Sequence, residues 1–364
     1  MKGKNEGFGS SCRGITQVKS GANLEIQLGA YTPHQSLPAS ARLKSEGQIK
    51  HEYFSYKTHF LLSFPSLFTQ NSLIELTFTM PYMAVNESLF RSYVQCINQD
   101  RWRDLPDVLV FPLKFNGDII PTPEAFENIG TTKGSIKLST DAFTVDNDAG
   151  RLGVTSIVEL RPKSCPDRTV RFMKQTIVWI KDGKIWKIIT SGTPEQEVER
   201  QLFWPGYDFT PDAISTYSDG HYKAGRQHVS AQALESAYIN YVGCINGRTM
   251  QSRLPTYCQL HVIHNSSRHS RDEYRLLIQE FIVAIPDINI GLETIVVDHA
   301  TQRVAVRLEL TGTPTGKLSG VEPTGRSVRF YEHATYFFLE GKIDRVWSIV
   351  DWDSYRQQLT QASK

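Results

Sequence analysis

"EGKIDRVWSIV", residues 340–350, has a counterpart in "DGKIWKIITSG", residues 182–192. In both, an acidic residue followed by Gly-Lys-Ile separates two β-rich runs, which predicts a hairpin whose Gly supplies the positive φ of a tight turn. Outward from the hairpin, "TVRFMKQTIVWIKDGKI" (169–185) falls without gaps on "SVRFYEHATYFFLEGKI" (327–343), 158 residues later. Farther upstream, "SYVQCINQDRWRDLP" (92–106) matches "NYVGCINGRTMQSRLP" (240–255), with Tyr93, Cys96 and Asn98 falling on Tyr241, Cys244 and Asn246. The chain is therefore written twice, and one copy's elements predict the other's.

Each copy reads as helix, helix, then strands. In the second copy Leu234, Tyr238, Tyr241 and Ile245 recur at a helical period and form one apolar stripe. A second helix is predicted from Thr122-Pro123 in the first copy, since Pro is tolerated at the first helical position. Its counterpart starts at Ser270-Arg271-Asp272-Glu273, an S-x-x-E capping box. Tyr274, Leu277, Ile278, Phe281 and Ile285 carry the apolar face of that helix as far as Pro286. The first-copy pattern fails at Gly130-Thr131-Thr132, so its helix is expected to be shorter. Strands follow, "VTSIVELRP" (154–162) and the alternating "RVAVRLELTG" (303–312). The pattern is α+β, an antiparallel meander closing each copy.

A length of 364 residues holds two domains and a remainder. The expected division is an N-terminal extension over 1–85, a first domain over 86–202, a linker over 203–229 and a second domain over 230–364. Residues 1–50 are polar and rich in Gly, Ser and Lys, which predicts partial disorder; "SLIELTFTMPYMAV" (72–85) offers an extra strand. With 40 Lys and Arg against 38 Asp and Glu, the net charge of +2 gives no electrostatic reason to expect nucleic acid or an anionic membrane as partner. Five cysteines without a C-x-x-C pair read as reduced thiols. The start of the chain lacks the apolar segment of a signal peptide, and "FLLSFPSLF" (60–68) is too short and Pro-broken to span a bilayer, so a cytoplasmic protein is expected. His261 and His264 have no further ligands at a usable spacing, so no metal site is predicted.

The second copy, through "YVGCING", "SRDEYRLLIQEFIVAIPDINIGLETIVVD", "RVAVRLELTGTPTGKLSGVEPTGRSVRFYEH" and "LEGKIDRVWSIVD", resembles the SnoaL-like polyketide cyclases of the nuclear-transport-factor-2-like (NTF2-like) superfamily. The first copy resembles them more weakly, through the repeat. The resemblance implies two tandem cone-shaped, curved antiparallel sheets with packed helices, each open at one end to a small apolar ligand. It also implies ring closure, isomerisation, dehydration or ester hydrolysis without a cofactor, by Asp, His and Tyr acids and bases, although other relatives only bind, and fold alone does not settle the reaction. In the cyclases an aspartate base sits about seven residues after the hairpin glycine, where this chain has Ser348 and, in the first copy, Thr190. An identical aldol mechanism is thereby placed in doubt.

His333, on the strand before the last hairpin, aligns with Gln175 and is either a hydrogen-bonded sheet histidine or an acid-base group titrating near neutrality. His264 and Asn265 precede the second helix and align with Phe115 and Asn116; they are ligand contacts at the cone mouth or turn residues. Asp351 and Trp347 align with Thr193 and Ile189. The carboxylate serves as base or as cap of a closing helix beginning near Ser354, and the indole offers a stacking surface. Tyr238 and Tyr241 are core residues or phenol donors, while Arg307 and Glu309 pair with each other or, through Arg307, bind a substrate carbonyl.

The copies differ in one direction: polar residues of the second become apolar or uncharged in the first. The expected site is therefore in the second copy, with His333, His264 and Asp351 catalytic and Tyr238, Tyr241, Asn265, Arg307 and Trp347 binding the substrate. The expected activity is cofactor-free acid-base chemistry of the cyclase or isomerase type on an apolar polyketide- or terpenoid-like metabolite, in a monomer whose copies form an internal pseudo-dimer. The alternative is a non-catalytic binding or scaffold protein, and convergence of His264 with His333 in one cavity separates the two readings.

Overall fold

A computed structural model of the chain describes residues 85–203 and 228–360, and the backbone of two short strands, β1 (Lys57–Phe60) and β2 (Ile74–Thr77). The expectations for residues 1–50 and for most of the linker lie outside the described residues. The chain divides into two compact units, Met1–Tyr82 and Met83–Lys364. In the first, β1 and β2 pair antiparallel, with Lys57 opposite Thr77. The rest of the described structure belongs to the second.

There the first copy runs α1 (Val85–Asn98), α2 (Leu105–Val108), β3 (Leu109–Phe115), β4 (Asp118–Ile120), α3 (Pro123–Thr131), β5 (Gly134–Asp146), β6 (Arg151–Pro162), β7 (Val170–Lys181), β8 (Lys184–Thr190) and α4 (Glu195–Phe203). The second copy runs α5 (Ala231–Asn246), α6 (Met250–Tyr257), β9 (Cys258–His264), β10 (Ser267–Ser270), α7 (Arg271–Ala284), β11 (Asn289–Asp298), β12 (Arg303–Gly312), β13 (Val328–Leu339), β14 (Lys342–Val350) and α8 (Trp352–Thr360). The two six-stranded sheets have the same order, β4-β3-β8-β7-β6-β5 and β10-β9-β14-β13-β12-β11. Neither is wholly antiparallel as expected. The hairpins β3-β4 and β9-β10 join through one parallel pairing each, β3 with β8 and β9 with β14.

The repeated residues explain themselves in the structure. Asp182 and Gly183 have φ of 51° and 73°, and Glu340 and Gly341 have 52° and 76°, the two successive positive values of a type I′ hairpin turn. The Lys that follows ties each hairpin to the end of the helical segment: Lys184 Nζ donates to Pro106 O at 2.6 Å and Lys342 Nζ to Pro255 O at 3.0 Å. The Asn ending each first helix bridges to the meander. Asn98 accepts from Leu138 N and donates to Leu138 O, both at 2.7 Å, and Asn246 makes the same pair with Ile290 at 2.9 Å.

The second helices start and end as their sequences predict. Thr122 caps α3 by accepting from Ala125 N at 3.3 Å. Ser270 and Glu273 form a complete capping box on α7. The chain leaves α7 at Ile285, before Pro286, giving 14 residues against 9 for α3.

The sheets pack against each other on the faces turned away from their helices. Phe337 and Trp347 meet Ala142 there, and Val296 and Ala305 meet Ile177. The approach is close at Gly153, where a Cβ would lie 2.4 Å from that of Ala305. Polar ties cross the junction too: Gln175 Nε2 donates to Trp347 O, and Arg303 Nη1 to Phe143 O, both at 2.8 Å.

Candidate functional site

Successive side chains of a strand point to opposite faces, and β13 shows what that parity does. Glu332 and Tyr336 face the helices, whereas His333, Thr335 and Phe337 face away. On the helix side the second copy encloses a cavity of ≈ 260 Å³. Its wall is mostly aliphatic and aromatic, with Ile278, Phe281, Leu308 and Leu310 among the lining residues. The polar exceptions are four tyrosines, Tyr238, Tyr241, Tyr274 and Tyr336, together with Glu332, His264, Asn265 and Ser348. An apolar cavity with a few convergent polar groups is the usual form of a small-molecule site.

The tyrosines come from three elements. Tyr238 and Tyr241 lie one turn apart on α5, Tyr274 in the first turn of α7, and Tyr336 on β13. Tyr241 and Tyr274 share a hydroxyl-hydroxyl hydrogen bond of 2.8 Å, and the Tyr238 and Tyr336 rings are 4.8 Å apart. Burial raises the pKa of all four phenols, so they remain protonated donors. His264, at the end of β9, lies 5.9 Å from the Tyr274 ring. Burial, with a smaller push from His269, lowers its pKa to about 4, and the imidazole is neutral at physiological pH.

Glu332 is the only carboxyl among the residues lining this cavity. Its Oε1 accepts from Ser348 Oγ at 2.6 Å. Burial raises its pKa above the ordinary carboxylate range, against the opposing pull of that hydrogen bond. Ser348 is itself held by Asn265, whose Oδ1 accepts from Ser348 N at 2.9 Å. The same lock exists in the first copy, Asn116 Oδ1 accepting from Thr190 N at 2.8 Å, and both asparagines sit at φ 51°. Asn265 thus shapes the turn while its side chain lines the cavity.

The sequence-predicted residues divide between faces. Tyr238, Tyr241, His264 and Asn265 converge in the cavity; His333, Asp351, Arg307 and Trp347 do not. His333 is 4% exposed and lies between Arg307 and Ile349 in the sheet register. Burial, and then Arg307, lowers its pKa to about 3. With Arg307 and Asp351 it lines a separate, open groove of ≈ 780 Å³ to which Asn116, Thr193 and Arg200 of the first copy also contribute.

Asp351 caps α8, accepting from Ser354 N at 3.0 Å and Ser354 Oγ at 2.6 Å. Arg307 pairs with Glu293 and lies over the Tyr331 ring, while Glu309 takes Arg329 and the Tyr331 hydroxyl, so the expected Arg307–Glu309 pairing does not form. Trp347 is fully buried against Phe337 in the junction between the sheets and offers no surface to a ligand. The parity of β13 and β14 turns His333 and Trp347 away from the cavity and Glu332 and Ser348 toward it. Residue type alone favours His333 over the neighbouring Glu332, and only strand parity reverses that preference.

Comparison with known proteins assigns the second copy. The SnoaL-like polyketide cyclase family model matches residues 235–359. A SnoaL-like polyketide cyclase from Agrobacterium tumefaciens str. C58 is 32% identical over 35% of this chain and 97% of its own, with a TM-score of 0.33. AclR from Streptomyces galilaeus is 20% identical over 36% of this chain and 98% of its own, with a TM-score of 0.33. IdmH from Streptomyces antibioticus is 19% identical over 35% of this chain and 98% of its own, with a TM-score of 0.32. No curated protein matches the chain. The family model and the sequence shared with the Agrobacterium cyclase cover nearly the whole second copy, and through it the chain belongs to the SnoaL-like polyketide cyclase family.

Proposed function

We propose that the second cone catalyses a cofactor-free ring closure or isomerisation of a small, apolar, carbonyl-bearing metabolite of polyketide or terpenoid type. The observation that carries this reading is Glu332, a carboxyl of raised pKa and the only carboxyl lining a mostly apolar cavity, among protonated phenols. A base works best when its pKa is moved toward the operating pH, and burial does this for Glu332. Glu332 takes a proton from carbon next to the substrate carbonyl. The Tyr241–Tyr274 pair donates to the oxygen on which charge develops, and neutral His264 orients the ring from the cavity wall. The carboxyl stands one strand away from the serine that occupies the expected aspartate position, and Ser348 becomes its hydrogen-bond donor.

The substrate is best found by metabolite profiling of a deletion strain, followed by assay of the purified protein on the intermediate that accumulates. On that compound Glu332→Gln is expected to lose 10²- to 10⁴-fold in kcat with the fold intact, and the wild-type rate to rise with pH through a midpoint above the ordinary Glu value of ~4.3. Full turnover in Glu332→Gln together with loss in His333→Gln would move the chemistry to the groove. Full turnover in both, or tight binding without turnover, would favour the binding-protein reading.

A further inference from the structure

The first copy has a cone of its own, and it is not simply apolar. Its cavity of ≈ 90 Å³ is walled by aromatic rings from α1, β3 and α3, including Phe90, Tyr93, Phe115 and Phe126. At the β7 position corresponding to Glu332 stands Lys174, and opposite it across β6 is Ser156. Lys174, Ser156 and Tyr93 all line this cavity, and among the described residues none of them has a hydrogen-bond or ion-pair partner for its side-chain polar group. Ser156 and Tyr93 are 3% and 7% exposed, and Lys174 is half-buried. The cavity therefore presents three donors that have no partner among the described residues to an occupant that carries acceptors. The other hydroxyls nearby are already committed, Thr176 and Thr190 to each other at 3.0 Å and Thr190 to Gln175 O at 3.3 Å.

We propose that the first cone is a second ligand site, taking a short aliphatic carboxylic acid with its carboxylate on Lys174, Ser156 and Tyr93 and its hydrocarbon end among Phe90 and Phe126. An ammonium balances the charge of a carboxylate while it and two hydroxyls can donate to both of its oxygens, and the ring cage favours an apolar tail. Size limits the tail. The cavity has room for about three waters at roughly 30 Å³ each, which is a chain of a few carbons and not a polycycle. Burial, and more weakly Lys133, lowers the Lys174 pKa to about 8, and a bound carboxylate would favour the charged amine.

The site is independent of the reaction proposed for Glu332, and its test reads binding and not turnover. Butyrate, propionate and acetate would be titrated into the full-length protein and followed by ligand-observed NMR. Saturable binding is expected, weakened at least tenfold by Lys174→Gln and unchanged by Lys163→Gln, which alters an exposed lysine. Affinity should also fall as pH rises from 7 to beyond 9 and the amine loses its proton, a readout that needs no variant. Ser156→Ala should weaken binding while leaving the melting temperature close to wild type, and it serves should Lys174→Gln fail to fold. No saturable signal from any of the three acids, or binding that ignores both folded variants and pH, would overturn the proposal.

Discussion

At the scale of single residues two histidines of lowered pKa, His264 and the buried His333, make the protein acid-sensitive in a calculable way. Their folded pKa values lie below the ordinary 6.5, at about 4 for His264 and about 3 for His333. The unfolded chain therefore binds protons that the folded chain refuses. Stability from each is fully present above pH 6.5 and is lost as pH falls toward the folded value. Replacing His333 by Gln, the residue at the matching position of the first copy, removes one such group. Between pH 7.5 and pH 5 the wild type should lose about 2 kcal/mol more than His333→Gln in urea unfolding, the linkage expected for one group of unfolded pKa ~6.5 that stays neutral when folded. Equal pH dependence in the two proteins would show that His333 is protonated in the fold.

At the scale of elements the asparagines at the ends of α1 and α5 can be tested as a repeated device. Each satisfies both the N–H and the C=O of one meander residue, and truncation leaves two partly buried backbone groups unpaired. Asn98→Ala and Asn246→Ala should each cost about 2 kcal/mol, measured by denaturant titration, within the usual penalty for orphaned buried polar groups. Such devices were legible in the sequence because they depend on residue type at a fixed repeat position: Asn98 and Asn246, the hairpin pairs Asp182-Gly183 and Glu340-Gly341, the Ser270 box. The cone's polar wall was legible only in part. Tyr238 and Tyr241 lie on a helix whose stripe has a clear period, so their inward direction could be read. Strand β13 is buried on both faces over most of its length, and its pattern "FYEHATYFF" has no alternation to say whether Glu332 or His333 points inward. The parallel seams of β3 with β8 and β9 with β14 join strands distant in sequence, and no local pattern encodes them.

At the scale of the whole molecule the junction between the sheets governs assembly. An exposed apolar sheet face is a surface through which copies of a domain can pair, and here that face is occupied within one chain by Trp347, Phe337, Ile177 and their neighbours. We predict a monomer by light scattering, and a dimer mass would contradict it. Gly153→Leu should force the sheets apart at Ala305, where even a Cβ would approach to 2.4 Å, and should lower the melting temperature by several degrees, the cost of overpacking a closed interface. The same junction has an evolutionary meaning. In a symmetric dimer every mutation is made twice, so a residue near the axis must suit its own image. Gln175 escapes that condition: its amide donates to Trp347 O with one end and accepts from Thr335 Oγ1 at 3.3 Å with the other, while its counterpart is His333. Lys174 and Glu332, opposite charges at one repeat position, could not be inherited separately by identical subunits. Within one chain each cone can change alone, and the two differ here by a cation in one and a carboxyl in the other.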